Sequence, residues 1–358
     1  MCWRAVVVAT TLIVAAALFS LELSRGWGDP LAIWQDGDIV VSFRETNAPT
    51  NVRLAAWSAD GATFRGTVDV SPPIGDSDSA PQHLTMYNNL LYGRVATGSS
   101  RRIVHMDGSA ANADDFYAVG SGGGGGLAVD SAGKFYVGDS SGSPDFDYQI
   151  AKLNTDGSVD SLYVYDPFDI NMIGDGGGSN IDANTVRVNP SGTIAYFTDA
   201  HGDVELSSSE LALNRLDLVT GSLLTYLDFT SQLTNPRWLQ NFAIGPDGRI
   251  WGCYQDTADG QRIFVADPDG TVVQDWFTLA DNFLTELLAL RTDGALLAIN
   301  CNEFPGPVSR IRAYNESGAQ QYVINYSEDE LGQPASGLVF VPPASTVRRP
   351  RVQIVWPF

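Results

Sequence analysis

The chain has 358 residues, and 42 Asp and Glu residues against 21 Lys and Arg residues give it a formal net charge of −21. An acidic surface of this kind repels nucleic acid and anionic membranes, which argues against either as a partner. A hydrophobic content of 44% with 10% aromatic residues argues against a disordered chain and predicts a packed core.

The first residues have the pattern of a targeting segment. Arg4 precedes Ala5–Phe19, an uninterrupted apolar run of signal-peptide length, and Ala15 and Ala17 offer a small-residue cleavage site. An uncleaved N-terminal membrane anchor is the alternative. We therefore expect residues 1–26 to be a signal peptide or anchor, and the protein to be secreted, periplasmic or at the cell surface. Any membrane contact is expected through this segment alone.

Two series of tight-turn signals alternate along the rest of the chain. The first series comprises Asp36-Gly37, Asn88-Asn89, Ala132-Gly133, Ser191-Gly192, Asp247-Gly248 and Asp293-Gly294. The second comprises Asp60-Gly61, Asp107-Gly108, Asp156-Gly157, Thr220-Gly221, Asp269-Gly270 and Ser317-Gly318. Such pairs supply the positive φ that hairpin turns need, so their alternation predicts two β-hairpins in each of six repeats.

The repeats predict an all-β protein, a six-bladed β-propeller of four-stranded antiparallel blades. The clearest copies are Asn184–Asp199 (NTVRVNPSGTIAYFTD) and Gln240–Asp256 (QNFAIGPDGRIWGCYQD). Seven blades, a β-sandwich or two smaller β domains are the alternatives. Packing between blades is expected from bulky aromatic residues at the ends of strands, namely Trp57, Tyr92, Tyr136, Tyr196, Trp251 and Trp276.

The end of the repeat region predicts how the ring closes. Ser336–Pro342 (SGLVFVP) is similar to the inner-strand run Gly125–Ser131 but lacks the rest of a blade. We expect it to complete the first blade, because joining the two ends in one sheet removes a free edge. The propeller is thus expected over residues 27–342. A basic and then apolar tail, residues 343–358, is expected to pack outside it or to contact a partner.

The units Asn184–Asp199 and Asn241–Val273 resemble blades of the NHL-repeat and gluconolactonase (senescence-marker-like) six-bladed propellers. In those families an inner strand, a Pro-Asp-Gly-type turn and a second strand recur. The resemblance is best over Asn184–Trp276, weaker over Gly122–Asp166 and Thr285–Tyr322, and poor over Leu31–Tyr117. It is shared by a large superfamily, so it implies the fold much more than a chemistry.

The resemblance also implies a site at the mouth of the central channel. Lactonase-type members bind a divalent cation there, usually calcium, through a Glu, two Asn and an Asp at the starts of inner strands. Asn184 occupies a position of one family Asn, and Glu286 is the one carboxylate of the ring, so both are the candidate metal ligands. Glu286 is also the candidate catalytic residue. The candidate ligand-binding residues at the mouth are Gln82, His83, Asn184, Gln240, Asn241 and Glu286.

The same ring departs from the family pattern. Gly125 stands where the family has Asn, Gln240 or Asn241 where it has Asp, and no counterpart of the first-blade Glu is found. Since calcium prefers six to eight oxygens including carboxylates, we expect no cofactor, with a calcium ion as the alternative. Cys253 and Cys301 fall near the ends of the second strands of two adjacent blades. The sequence allows either a disulfide between them or independent burial of each.

These observations favour an exported, non-catalytic binding or structural module. It would recognise a protein or carbohydrate through its loop-rimmed channel face. One alternative is a divalent-metal-dependent lactonase-like hydrolase that uses Glu286 and Asn184 with the other mouth residues. A second alternative is a virion or surface-layer structural protein, which is supported only by the acidic composition and the C-terminal tail.

Overall fold

The computed structural model describes residues 34–44, 52–70, 81–97, 100–106, 113–119, 126–140, 148–165, 185–198, 211–256, 260–279, 288–295, 297–302, 308–327, 331 and 333–343. The chain divides into two units, Met1–Ala32 and Ile33–Phe358, and every described residue belongs to the second. The predicted signal or anchor lies outside the described residues, as does the tail beyond residue 343. In the described part, no helix is long and apolar enough to cross a bilayer.

The described residues form 24 β-strands that pair into six four-stranded antiparallel sheets. In chain order the strands are β1 (Ile39–Arg44), β2 (Val52–Trp57), β3 (Phe64–Asp69), β4 (Gln82–Tyr87), β5 (Leu90–Thr97), β6 (Ser100–Met106), β7 (Ala113–Val119), β8 (Leu127–Val129), β9 (Phe135–Ser140), β10 (Tyr148–Leu153), β11 (Val159–Tyr165), β12 (Thr185–Val188), β13 (Ile194–Thr198), β14 (Ala212–Asp217), β15 (Leu223–Asp228), β16 (Pro236–Ile244), β17 (Ile250–Asp256), β18 (Gln261–Ala266), β19 (Val272–Leu279), β20 (Leu288–Leu290), β21 (Leu297–Asn302), β22 (Val308–Tyr314), β23 (Gln320–Ser327) and β24 (Gln333–Phe340).

The six sheets are the blades of a β-propeller. Blade 1 has the order β24-β1-β2-β3, and blades 2 to 6 take the remaining strands four at a time in chain order. The innermost strands β24, β4, β8, β12, β16 and β20 contact one another in a closed ring. The predicted six-bladed all-β fold is confirmed, and neither a seventh blade nor a sandwich is found in the described ranges.

The core consists of six hydrophobic clusters, one between each pair of neighbouring blades. For example, Tyr136 of blade 3 packs with Phe197 of blade 4, and Tyr196 of blade 4 packs with Phe242 of blade 5. Apolar side chains on both faces of each sheet are thereby removed from water, which is the main source of stability in this architecture. The predicted packing role is confirmed for five buried aromatic residues and for the partly buried Trp276.

Strand β24 closes the ring as the sequence predicts. It pairs antiparallel with β1, so that Ile39 faces Phe340 and Val41 faces Leu338. At its end, the N–H of Val341 donates a hydrogen bond to the carbonyl oxygen of Asp38 over 2.8 Å. Leu338 and Phe340 are buried between blades 6 and 1. The first and last of the described strands therefore share one sheet, and β1 is paired on both sides.

The predicted turn pairs set the register of the inner hairpins. In blade 4 the N–H of Gly192 donates to the carbonyl of Asn189 over 2.9 Å, and φ of Gly192 is +67°. The Asn189 Oδ1 accepts hydrogen bonds from the N–H groups of Thr193 (2.8 Å) and Ile194 (3.0 Å). Glycine adopts this φ without steric cost, which is why it recurs at the turn. The result is a register in which β12 and β13 face each other residue by residue.

Cys253 lies in β17 and is buried among the side chains that separate blades 5 and 6. Cys301 lies in β21, and its side chain is outside the described residues. The alternative of a disulfide between the two residues stays a prediction from the sequence.

Candidate functional site

One inner-strand position distinguishes blade 4 from its neighbours. In blade 4, Arg187 of β12 lies opposite Tyr196 of β13. The corresponding positions of four other blades hold small residues, namely Thr85 opposite Tyr92, Ala128 opposite Tyr136, Ala243 opposite Trp251, and Ala289 opposite Ala298. Blade 4 therefore carries a long cationic side chain at a position where four other blades carry small residues.

Arg187 reaches both neighbouring blades. Its Nη1 donates hydrogen bonds to the carbonyl oxygens of Val186 (2.8 Å) and of Leu127 in blade 3 (3.4 Å). Its guanidinium carbon lies 6.0 Å from the ring centroid of Phe242 in blade 5, which is cation–π range. Burial lowers the pKa of Arg187 to about 10, so the side chain is still charged at pH 7. The guanidinium is thus held in place between three blades.

His83 of blade 2 has an unusual backbone conformation. Its φ is +50°, and the pairing of β4 with β5 shifts register between Gln82 and Thr85, which brackets it. A positive φ is uncommon for a residue other than glycine. A bulge of this kind redirects a side chain away from the regular alternation of a strand. In the same hairpin, Arg94 of β5 lies opposite Gln82.

His83, Arg94 and Arg187 form a group that we call the cationic cluster. Burial, followed by the positive charges of Arg94 and Arg187, holds the pKa of His83 well below its usual 6.5. Burial and the charge of Arg101 lower the pKa of Arg94 to about 10. At pH 7 the cluster therefore holds a neutral imidazole beside two positive charges, in a chain whose net charge is −21.

Part of the cationic cluster has no partner within the described part of the chain. There, no hydrogen bond or ion pair engages the ring of His83 or the Nε and Nη2 groups of Arg187. The planar guanidinium presents parallel N–H donors that match the two oxygens of a carboxylate or phosphate. The arrangement can therefore accept an anion.

Four of the sequence-predicted site residues lie on inner strands. Gln82 and His83 are in β4, and Gln240 and Asn241 are in β16, whereas Asn184 and Glu286 fall outside the described residues. Asn241 is buried, and its Oδ1 accepts a hydrogen bond of 2.7 Å from the N–H of Phe242. The amide oxygen of Asn241 is thus directed at its own strand. The ligand-binding and catalytic roles of the six residues stay predictions.

The described residues near the ring do not fit a calcium ion. Calcium requires several hard oxygen ligands, and carboxylates raise its affinity. The cationic cluster supplies positive charge instead, which repels a divalent cation. Within the described ranges, no group of three or more His, Cys, Asp and Glu side chains is placed to hold a metal.

Arg94 and Arg187 are not among the residues that the sequence pattern selects. The signal for Arg187 lies in the repeat itself, in NTVRVNPSG, where the arginine stands three residues after Asn184. Aligning the repeats on the aromatic residue of the second strand, rather than on strand starts, makes Arg187 the charged member of a set of small residues. Arg94 has no such signal, because its proximity to His83 depends on the strand pairing.

The comparison with solved structures supports the propeller fold. The chain matches no family model and no curated protein. Among solved structures, it is similar to TolB from Acinetobacter baumannii, with a TM-score of 0.57 and 14% identity over 86% of this chain and 67% of that one. It is also similar to a chain of a nidogen/laminin complex, with a TM-score of 0.53 and 12% identity over 85% of this chain and 98% of that one. At this identity the likeness shows the propeller fold alone, and membership of the NHL-repeat or gluconolactonase families stays a prediction.

Proposed function

We propose that this protein is an exported, non-catalytic binding module that recognises a protein or carbohydrate ligand through the channel face of its propeller. The observation that carries the proposal is the cationic cluster, in which His83 and Arg187 lie on inner strands and Arg94 lies on the neighbouring strand β5. Blades 2 and 4 contribute its three side chains, and the hydrogen bonds of Arg187 tie it to blade 3. The inner strands are those from which a lactonase-type site would take its metal ligands.

The physical argument concerns the sign of the charge at the site. A lactonase-like hydrolase needs a bound cation and a carboxylate that activates water or a hydroxyl. Two guanidinium groups raise the energy of a divalent cation nearby, and they stabilise any carboxylate in its unreactive, paired form. Binding an oxygen-rich ligand needs no such cation. The geometry is therefore better suited to recognition than to metal-assisted hydrolysis.

Export is the part of the proposal that the N-terminal segment supports. The apolar run Ala5–Phe19 after Arg4 has the length and flank of a signal peptide. The net charge of −21 favours solubility outside the cell. The likeness to TolB and to the nidogen/laminin complex supports the scaffold on which the proposal is built and does not bear on the choice of ligand.

The proposal is tested by calorimetry and by a hydrolysis assay on the full propeller. We expect no calcium binding at micromolar concentrations and no calcium-dependent turnover of aldonolactones. Glu286→Gln should behave like the wild type in both measurements, because no catalytic carboxylate is in use. Micromolar calcium binding together with lactone turnover that Glu286→Gln abolishes would instead establish the hydrolase.

A further inference from the structure

We infer that the cationic cluster binds the anionic group of a small ligand, a carboxylate, sulfate or phosphate, between blades 2, 3, 4 and 5. The inference rests on the proposed function to the extent that both place ligand binding at the channel face. It goes further by naming the chemical class of the ligand and the residues that hold it. Arg187 makes the direct contact, His83 donates a hydrogen bond to the anion, and Arg94 contributes charge.

The first step is the orientation of Arg187. Its Nη1 donates to the carbonyl oxygens of Val186 and Leu127, and its guanidinium carbon lies over the ring of Phe242, 6.0 Å from the centroid. Its Nε and Nη2 groups, which form one edge of the fork, have no hydrogen-bond partner among the described residues. A guanidinium anchored in this way has lost its freedom before any ligand arrives. An oxyanion can then accept two parallel hydrogen bonds at small entropic cost.

The second step is the balance of charge. A half-buried arginine is normally paired, because taking a charge out of water without a counter-charge is costly. No described carboxylate pairs with Arg187, and the charge of Arg187 also disfavours protonation of His83. An anion beside Arg187 offsets both effects. Since the protein as a whole is strongly acidic, the cluster is a local site for anions and not part of a broad basic surface.

The third step is the protonation of His83. The charged groups that act on its ring, among the described residues, are Arg94 from β5 and Arg187 from β12. Burial is the main cause of the lowered pKa of His83, and an anion between the two arginines offsets the smaller, electrostatic cause, so the bound ligand raises that pKa. The protonated ring can then donate a hydrogen bond to the anion. Ligand binding and proton uptake are therefore coupled.

The direct test uses inorganic sulfate, inorganic phosphate and succinate as probes of the full propeller, titrated by calorimetry against chloride at matched ionic strength. We expect the wild type to bind at least one probe, and the probe preferred separates a tetrahedral oxyanion from a carboxylate. Arg187→Ala should lower that affinity by about tenfold to a hundredfold, as expected for the loss of charge-assisted hydrogen bonds. Alanine is chosen because the equivalent positions of blades 3 and 5 already hold Ala128 and Ala243.

The chain offers a matched control in Arg215. Arg187 and Arg215 lie on opposite sides of Tyr196 in the same blade. Arg215 is partly buried on β14, where its Nε donates a hydrogen bond of 2.7 Å to the carbonyl oxygen of Thr225. Arg215→Gln removes the same charge away from the inner strand and should leave the affinity within about twofold. Equal affinity in the wild type and Arg187→Ala, or an equal loss in Arg215→Gln, would overturn the inference. Melting curves confirm that each variant is folded. If Arg187→Ala is unstable, the second variant is Arg187→Lys, which keeps the charge but lacks the two parallel N–H donors of the guanidinium.

The proton coupling gives an independent readout. Sulfate does not titrate between pH 7.5 and 5.5, so any change in its affinity over this range reports on the protein. We expect the affinity to rise as the pH falls, by at most about tenfold for each pH unit for the uptake of one proton. His83→Asn should remove this slope, and asparagine tolerates the positive φ at position 83. A slope that persists in His83→Asn would show that another group takes up the proton and would remove His83 from the site.

The two proposals fail in different ways. Calcium-dependent turnover of lactones overturns the proposed function, whatever the anion titrations show. Absence of sulfate, phosphate and succinate binding, with no turnover, overturns only the anion site and leaves a binding module that uses other residues.

Discussion

Removal of residues 333–358 is expected to abolish the cooperative unfolding transition of the propeller. The truncation deletes β24, which is the inner strand of blade 1 and the partner of β1. Leu338 and Phe340 leave the interface with blade 6, and Val341 leaves the interface with blade 2. Deleting a buried side chain of this size costs about 2–5 kcal/mol, so three such losses match a typical total stability of about 5–15 kcal/mol.

The measurement is a thermal or urea unfolding curve followed by tryptophan fluorescence, with a matched truncation that removes only residues 344–358. The shorter truncation keeps β24 and should unfold within a few degrees of the full chain. If removal of residues 333–358 left a cooperative transition at nearly the same midpoint, the closing strand would not be needed for the ring. Aggregation through the exposed edge of β1 is the expected side effect of the longer truncation.

Most of the fold can be predicted from the sequence because the signals that specify it are local. Each hairpin carries its own turn chemistry, as at Asn189 and Gly192, and each repeat carries its own apolar runs. Repetition then supplies the long-range arrangement, since neighbouring blades bury the same faces in the same way. Even the closure by β24 follows from one apolar run, Ser336–Pro342, that lacks the rest of a blade.

The candidate site is harder to predict from the sequence because it depends on contacts between residues of different repeats. The positive φ of His83 arises at a register shift between β4 and β5, and the sequence QHLTMY does not predict that shift. Arg94 approaches His83 through the pairing of the two strands, and Arg187 acts on His83 from a different blade. Alignment on strand starts drew attention to Asn184 and the amides of the ring. The charge that distinguishes the ring is that of Arg187 in β12, three residues after Asn184.

A second large effect is expected at Gly252, where the sheet of blade 5 has no room for a side chain. Gly252 of β17 lies between Phe242 of β16 and Phe264 of β18 in one row across the sheet. A Cβ at this position would overlap the ring of Phe264, which is buried and packs 4.8 Å from the ring of Phe229. Gly252→Ala must therefore displace a core aromatic residue, and we expect it to cost about 1–3 kcal/mol of stability.

A double-mutant cycle separates this overlap from a general intolerance of alanine in the strand. Phe264→Ala alone should cost about 3–5 kcal/mol, because it leaves a cavity beside Phe229. In the double variant the new methyl group of residue 252 enters space that the ring has vacated, so the total cost should fall at least about 1 kcal/mol short of the sum. Strictly additive costs in urea unfolding would contradict the overlap.

The same substitution is expected to affect ligand binding. Phe242, which faces Gly252, also lies beside the guanidinium of Arg187, so we expect Gly252→Ala to weaken sulfate binding. Such a loss would link the packing of blade 5 to the cationic cluster.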